Sequence, residues 1–146
     1  MTEALEGIKV LDFTQGMAGS IATMVMSDFG AEVIKIESPQ GDPFRAFPPS
    51  LVWNRGKKSV VIDLKDSAGR RQLHQLVPQA DLVVESFRPG VAEKLGIGYE
   101  ELKAIRPNLV YCSLTGFGRR GDYANYKGYE ALIAAKSGRL MVFAGM

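Results

Sequence analysis

At 146 residues, with 46% apolar and 23% charged side chains, the chain has the size and composition of one folded domain, which argues against disorder. A net charge of +2 is too small to single out nucleic acid or a membrane surface as a partner, and no apolar run reaches membrane-spanning length. The one Cys excludes an internal disulfide and fits a reducing cytoplasm, and the acidic start MTEALEGIKVLD lacks the form of a signal peptide.

Strand-like runs rich in β-branched residues alternate with helix-like runs. IKVLDF (8–13) reads as a first strand. Ile21, Met24, Val25 and Phe29 then recur at helical spacing, and Gly30 can close that helix. EVIKIE (32–37) is a second strand, followed by a long loop, residues 38–58, rich in Pro and without periodicity. Trp53 in that loop can cap the core or stack on a ligand ring. SVVIDL (59–64) is a third strand, and Ser67 is a capping candidate for a helix whose apolar stripe is Leu73, Leu76 and Val77. ADLVVES (80–86) and NLVYCSL (108–114) complete the strands, with Tyr99, Leu102 and Ile105 marking a short helix ahead of Pro107. Tyr129, Leu132, Ile133 and Lys136 share a helical face, Gly138 is a C-terminal cap candidate, and the last residues read as strand. Strands apolar nearly throughout, alternating with helices, predict an α/β fold: a Rossmann-like, mostly parallel open sheet with helices on both faces.

In such a fold, ligands sit in the loops after strand carboxyl ends. The cluster Arg55, Lys57 and Lys58 in NRGKKS is either a solvated loop or a phosphate clamp. ESFRPGVAEKLG (85–96) carries Arg88 and Lys94 past a turn at Pro89 and Gly90, with the same two readings. GFGRRG (116–121) matches G-x-G-x-x-G, but it follows the fifth strand, holds two arginines in the turn and lacks the downstream acid. A glycine-rich turn is the better reading. His74 is the one His, so neither a metal site nor a Ser-His pair has its partners. Cys112 falls in a buried-strand pattern.

Six ordered segments carry a resemblance: LEGIKVLDFTQGMAG, ATMVMSDFGAEVIKIESPQGD, NRGKKSVVIDLKDSAG, ADLVVESFRPGVAEKLGIGYEEL, NLVYCSLTGFG and GYEALIAAKSG. Together they resemble the N-terminal part of family III CoA-transferases, the group of formyl-CoA and carnitine CoA-transferases and alpha-methylacyl-CoA racemases. The resemblance implies that residues 1–146 are the N-terminal part of a large CoA-binding domain, with the rest of that domain and a second, smaller domain absent. It implies coenzyme A, as acyl-CoA substrate, and a carboxylic acid acceptor, with no metal. Family chains interlock in pairs, which implies a homo-oligomer, or a separate C-terminal half as partner. Carried over by position, Gln15, Gly16, Met17 and Ala18 line the CoA region. Ile62, Ser86, Phe87 and Lys94 contact the nucleotide end, Lys57 is a phosphate candidate, and Tyr129 lies near the thioester. Two positions depart from the pattern: Ser86 stands where Asn is frequent, and Ser38 where Arg is frequent. The transferases use an Asp nucleophile further along than Met146. Glu130 matches a neighbouring acid and is carried over with Tyr129 as a CoA-binding position, not as the nucleophile, so no catalytic residue is expected within this chain and no transfer by it alone. Racemases place a His where Tyr129 stands, which disfavours two-base proton chemistry. Two other readings remain: a binding module paired with a separate half, and a structural domain that has lost its ligand.

Overall fold

Each run rich in β-branched residues forms a strand in the computed structural model, which describes residues 3–143. The strands are Lys9–Phe13 (β1), Glu32–Glu37 (β2), Lys58–Val61 (β3), Leu82–Glu85 (β4) and Val110–Ser113 (β5). All neighbours pair in parallel, in the order β3-β2-β1-β4-β5. The observed strands match the runs that marked them or are up to three residues shorter. The sheet is Rossmann-like and wholly parallel among the described residues.

The helices are Met17–Asp28 (α1), Ser50–Trp53 (α2), Ser67–Leu76 (α3), Val91–Lys94 (α4), Tyr99–Ile105 (α5), Glu130–Lys136 (α6) and Arg139–Phe143 (α7). Asp66, not Ser67, takes the cap position of α3. Gly30 and Gly138 follow α1 and α6 with φ of 95° and 76°, the left-handed geometry that ends a helix. The strand expected at the end of the chain is helix over residues 139–143, and its remaining residues, 144–146, lie outside the described ones.

Side chains alternate across the sheet as pleating requires. Leu11, Phe13, Ile36, Ile62 and Val83 bury one face against Leu73, Val77, Ile97 and Leu102 of the α3–α5 side. Val10, Val33 and Val84 bury the other against Ala31, with Met26 of α1 packed at its edge. This second face is unusual. The residues of α1 that it buries are Gly19, Ser20 and Thr23, while Met17, Ile21, Val25 and Phe29 are exposed by 57, 38, 43 and 54%. The apolar spacing that marks this helix in the sequence therefore lies mostly on its outer side. The cause is close approach: a Cβ on Gly19 would stand 2.5 Å from the Thr14 Cβ, leaving space only for small residues.

The long loop of residues 38–58 is more ordered than its composition suggests. It contains α2, and Trp53 is buried against Phe47 with ring centroids 6.0 Å apart. Trp53 thus caps the core and does not offer its ring to a ligand.

Candidate functional site

The chain winds from β1 out through β2 to β3, then crosses to β4 on the other side of β1. The carboxyl ends of β1 and β4 are therefore the switch point of the sheet, where the loops part and leave a crevice. Gln15 follows β1 and Ser86 follows β4. The Gln15 N–H donates to Ser86 Oγ at 2.9 Å, tying the two loops together across the switch point. Gly16 turns the chain into α1 with φ of 74°, and the Phe44 ring would lie 3.2 Å from any Cβ placed there. The free N–H groups of the first turn of α1, at Met17 and Ala18, begin beside this crevice, the end of a helix that favours anions.

A cleft of about 270 Å³ opens from this point toward β3. Gln15, Ile36, Ile62 and Phe87 are among its lining residues, so the ends of β1, β2, β3 and β4 all contribute, with Lys65 beyond β3. Beyond Phe87, a second cleft of about 370 Å³ runs between the ends of β4 and β5, and Ser86 and Tyr129 line it. Seven of the residues carried over by resemblance thus converge: Gln15, Gly16, Met17 and Ala18 at the turn, Ile62 in the first cleft, Ser86 and Phe87 between the two. Tyr129 joins from the far side. Sequence reading missed Lys65, an exposed cation on the rim of the first cleft. Its signal was available, since VIDLK places it just past a strand end.

Lys57 is elsewhere. It is not an exposed loop cation, because its side chain is 1% exposed and its Nζ donates to Asp12 Oδ2 at 3.0 Å. The same ammonium reaches the Ser20 carbonyl at 2.9 Å and Thr23 Oγ1 at 2.7 Å. Asp12 in turn accepts from the N–H and hydroxyl of Thr14, at 2.8 and 2.6 Å. From β2, the buried Lys35 donates to the Thr14 carbonyl at 2.8 Å and pairs with Asp42 at 3.0 Å. Two buried lysines thus fix the backbone just before Gln15. Burial pushes the Lys57 pKa down, and the Asp12 carboxylate opposes this without cancelling it.

Glu37, at the end of β2, is likewise buried. Burial alone would raise its pKa, but hydrogen bonds from Arg45, Ser59 and the Asp42 N–H together outweigh it and hold the carboxyl below its ordinary range. Lys94 is exposed on α4, and Glu130 is exposed at the first position of α6, where an acid suits the helix dipole. Neither lines the two clefts.

The remaining sequence signals resolve as structure. The glycines of GFGRRG lie in irregular chain well before α6, without the turn-into-helix of a dinucleotide site. His74 Nε2 faces the Gly96 carbonyl at 3.3 Å, and among the described residues no cluster suits a metal ion. No helix among the described residues is long and apolar enough to cross a membrane.

Comparison with known proteins agrees with this fold. The chain is 40% identical over 148 residues to human succinyl-CoA:glutarate CoA-transferase, covering 94% of this chain and 34% of that protein. It is 42% identical over 145 residues to acetyl-CoA:oxalate CoA-transferase of Acetobacter aceti, covering 93% and 37%. A crystal structure of Rv3272 from M. tuberculosis superposes with a TM-score of 0.90 at 44% identity, over 94% of this chain and 39% of that one. The chain thus spans little more than a third of the curated relatives it matches. CoA-transferase family III matches residues 5–146, and the chain belongs to that family.

Proposed function

We propose that this chain is the CoA-binding portion of an enzyme that moves CoA from an acyl-CoA to a carboxylic acid. One observation supports the reading most: residues 15–18 and the Ser86–Phe87 pair meet at the strand-switch crevice, joined by the Gln15–Ser86 hydrogen bond of 2.9 Å. In the proposal, Gln15, Gly16, Met17 and Ala18 run along the thioester arm of CoA, with backbone N–H groups at the start of α1 facing its negative charge. Ile62 and Phe87 give the apolar walls of the nucleotide end. Lys65 on the rim and Lys94 on α4 serve the phosphates, while Tyr129 stands toward the thioester. Lys57 and Asp12 hold the crevice in shape and touch no substrate.

The nucleophilic carboxylate is assigned to another part of the protein. Glu130 is exposed at the start of α6 and lines neither cleft, so an anhydride formed there would meet water before an acceptor. Transfer by these 146 residues alone is not expected. The partner is a second copy or a separately supplied C-terminal half.

Calorimetric titration with CoA tests the proposal. The chain should bind CoA, and Lys65→Ala with Lys94→Ala should weaken binding by about 1–3 kcal/mol. Equal affinity for the double variant refutes the phosphate roles, and no binding by the parent chain favours the structural-domain reading. In a parallel incubation with acyl-CoA and hydroxylamine, Glu130 should emerge unmodified by mass spectrometry. A hydroxamate there makes it a nucleophile after all.

A further inference from the structure

Four carboxylates are buried among the described residues: Asp12, Glu37, Asp42 and Glu85. Three of them hold a cation, Lys57, Arg45 and Lys35 respectively. Glu85 is 2% exposed and holds none among the described residues. Its side-chain partner is a backbone group two residues on: Oε2 accepts from the Phe87 N–H at 2.7 Å, a short bond of the kind a charged acceptor makes. A buried charge without a counter-ion is costly, and a neutral acceptor would satisfy one N–H at less expense. The charge therefore needs a reason, and the strength of this one bond supplies it.

The carboxylate is delivered from a fixed place. Glu85 ends β4, paired with Phe13 of β1 and Ser113 of β5, and its carbonyl accepts from the Leu114 N–H at 2.9 Å. Its side chain shares a face with Val83, where the Tyr111 hydroxyl of β5 already donates to the Ile97 carbonyl at 3.0 Å. What Glu85 holds is the turn at the crevice. Phe87 lines both clefts, and no backbone carbonyl among the described residues takes its N–H. Ser86, between the two, engages both polar groups of the Gln15 backbone. Its Oγ accepts from the N–H at 2.9 Å and donates to the carbonyl at 3.4 Å.

We propose that Glu85 is a positioning residue for this crevice. Its carboxylate grips the Phe87 N–H, and so sets the Phe87 ring between the clefts and the Ser86 hydroxyl on Gln15. Being buried, the carboxylate meets no ligand itself. That the crevice so shaped takes CoA rests on the function proposed above, whereas the clasp on the turn does not.

The test compares the 146-residue chain with Glu85→Gln, Glu85→Leu and Val77→Ala, the last a core cavity away from the crevice. NMR reads the scalar coupling from the Phe87 amide nitrogen to the Glu85 carboxyl carbon, and the amide exchange of Gln15 and Phe87. The coupling should be present in the parent. Glu85→Gln keeps an uncharged acceptor, so both amides should exchange about threefold faster or more, and about tenfold faster or more in Glu85→Leu. Val77→Ala should lower the melting temperature and leave both exchange rates within about twofold of the parent. CoA affinity by calorimetry should fall from parent to Gln to Leu and stay at the parent level in Val77→Ala. An absent coupling, parent exchange rates in Glu85→Gln, or equal acceleration in Val77→Ala overturns the proposal. So does parent CoA affinity in a Glu85 variant whose turn has loosened. If Glu85→Leu fails to fold, the isosteric Glu85→Gln decides. If the parent binds no CoA, the CoA reading falls, and the coupling and exchange rates still decide the clasp.

Discussion

Lys57 and Asp12 meet 3.0 Å apart with their side chains 1% and 0% exposed, a charge pair fully removed from water. Such a pair costs desolvation on both sides, and removing one partner strands the other, typically at about 3–5 kcal/mol. Lys57→Met should lose stability on that scale by urea denaturation, whereas Lys57→Met combined with Asp12→Leu should lose less than the two single changes summed. Strict additivity would show that the two charges do not depend on each other. Glu37 makes a different prediction, in pH. Its folded pKa lies below the ordinary 4.5, so its contribution is present above that value and lost as pH falls through the depressed one. The stability gap between parent and Glu37→Gln should therefore narrow from about pH 7 to about pH 3, and a widening gap would contradict the assignment. None of this pairing was legible in the sequence. Asp12 and Lys57 lie 45 positions apart, and a basic loop motif looks the same whether its ammonium faces solvent or a buried acid.

At the scale of elements, α1 is the part that the crevice depends on. Its N-terminus faces the switch point only because Gly19 lets the helix come close to Thr14. Gly19→Ala places a Cβ within 2.5 Å of the Thr14 side chain and should destabilise by about 1–3 kcal/mol, with CoA affinity falling as the turn at Gly16 is displaced. A variant with parent melting temperature and parent affinity would show that the close approach is not needed. Periodicity identified this helix and Gly30 marked its end, yet it misassigned the face. Hydrophobic spacing reports that a helix is amphipathic, whereas the direction it turns was decided here by small residues and a polar network beneath it. The sheet was legible for the opposite reason. Its inner strands β1, β2 and β4 are mostly buried and the edge strands β3 and β5 keep β-branched residues, so each advertises itself as a strand-like run, and the parallel order followed from the alternation with helices. The candidate site was legible through its place at strand ends and through six ordered motifs, and Lys65 carried the same strand-end signal, while the burial of Lys57 needed coordinates.

At the scale of the whole molecule, α1 and α2 pack against each other and both leave apolar side chains in solvent, Met17, Ile21 and Val25 on α1 and Leu51 and Val52 on α2, the last two exposed by 78 and 59%. Large exposed apolar surface drives association. Light scattering at micromolar protein should give a dimer or larger species, and Val25→Glu with Phe29→Glu should shift it toward monomer without loss of melting temperature. A clean monomer for the parent chain would contradict this. The central claim is that CoA binds at the carboxyl ends of β1 and β4, and amide NMR mapping tests it most directly. On adding CoA, saturable shifts should appear at Gln15, Met17, Ala18, Lys65, Ser86 and Phe87, with Ile8, Ala31 and Asp81 at the opposite ends of the strands unmoved. Shifts centred on those opposite ends, or no saturable shifts at all, would contradict the account.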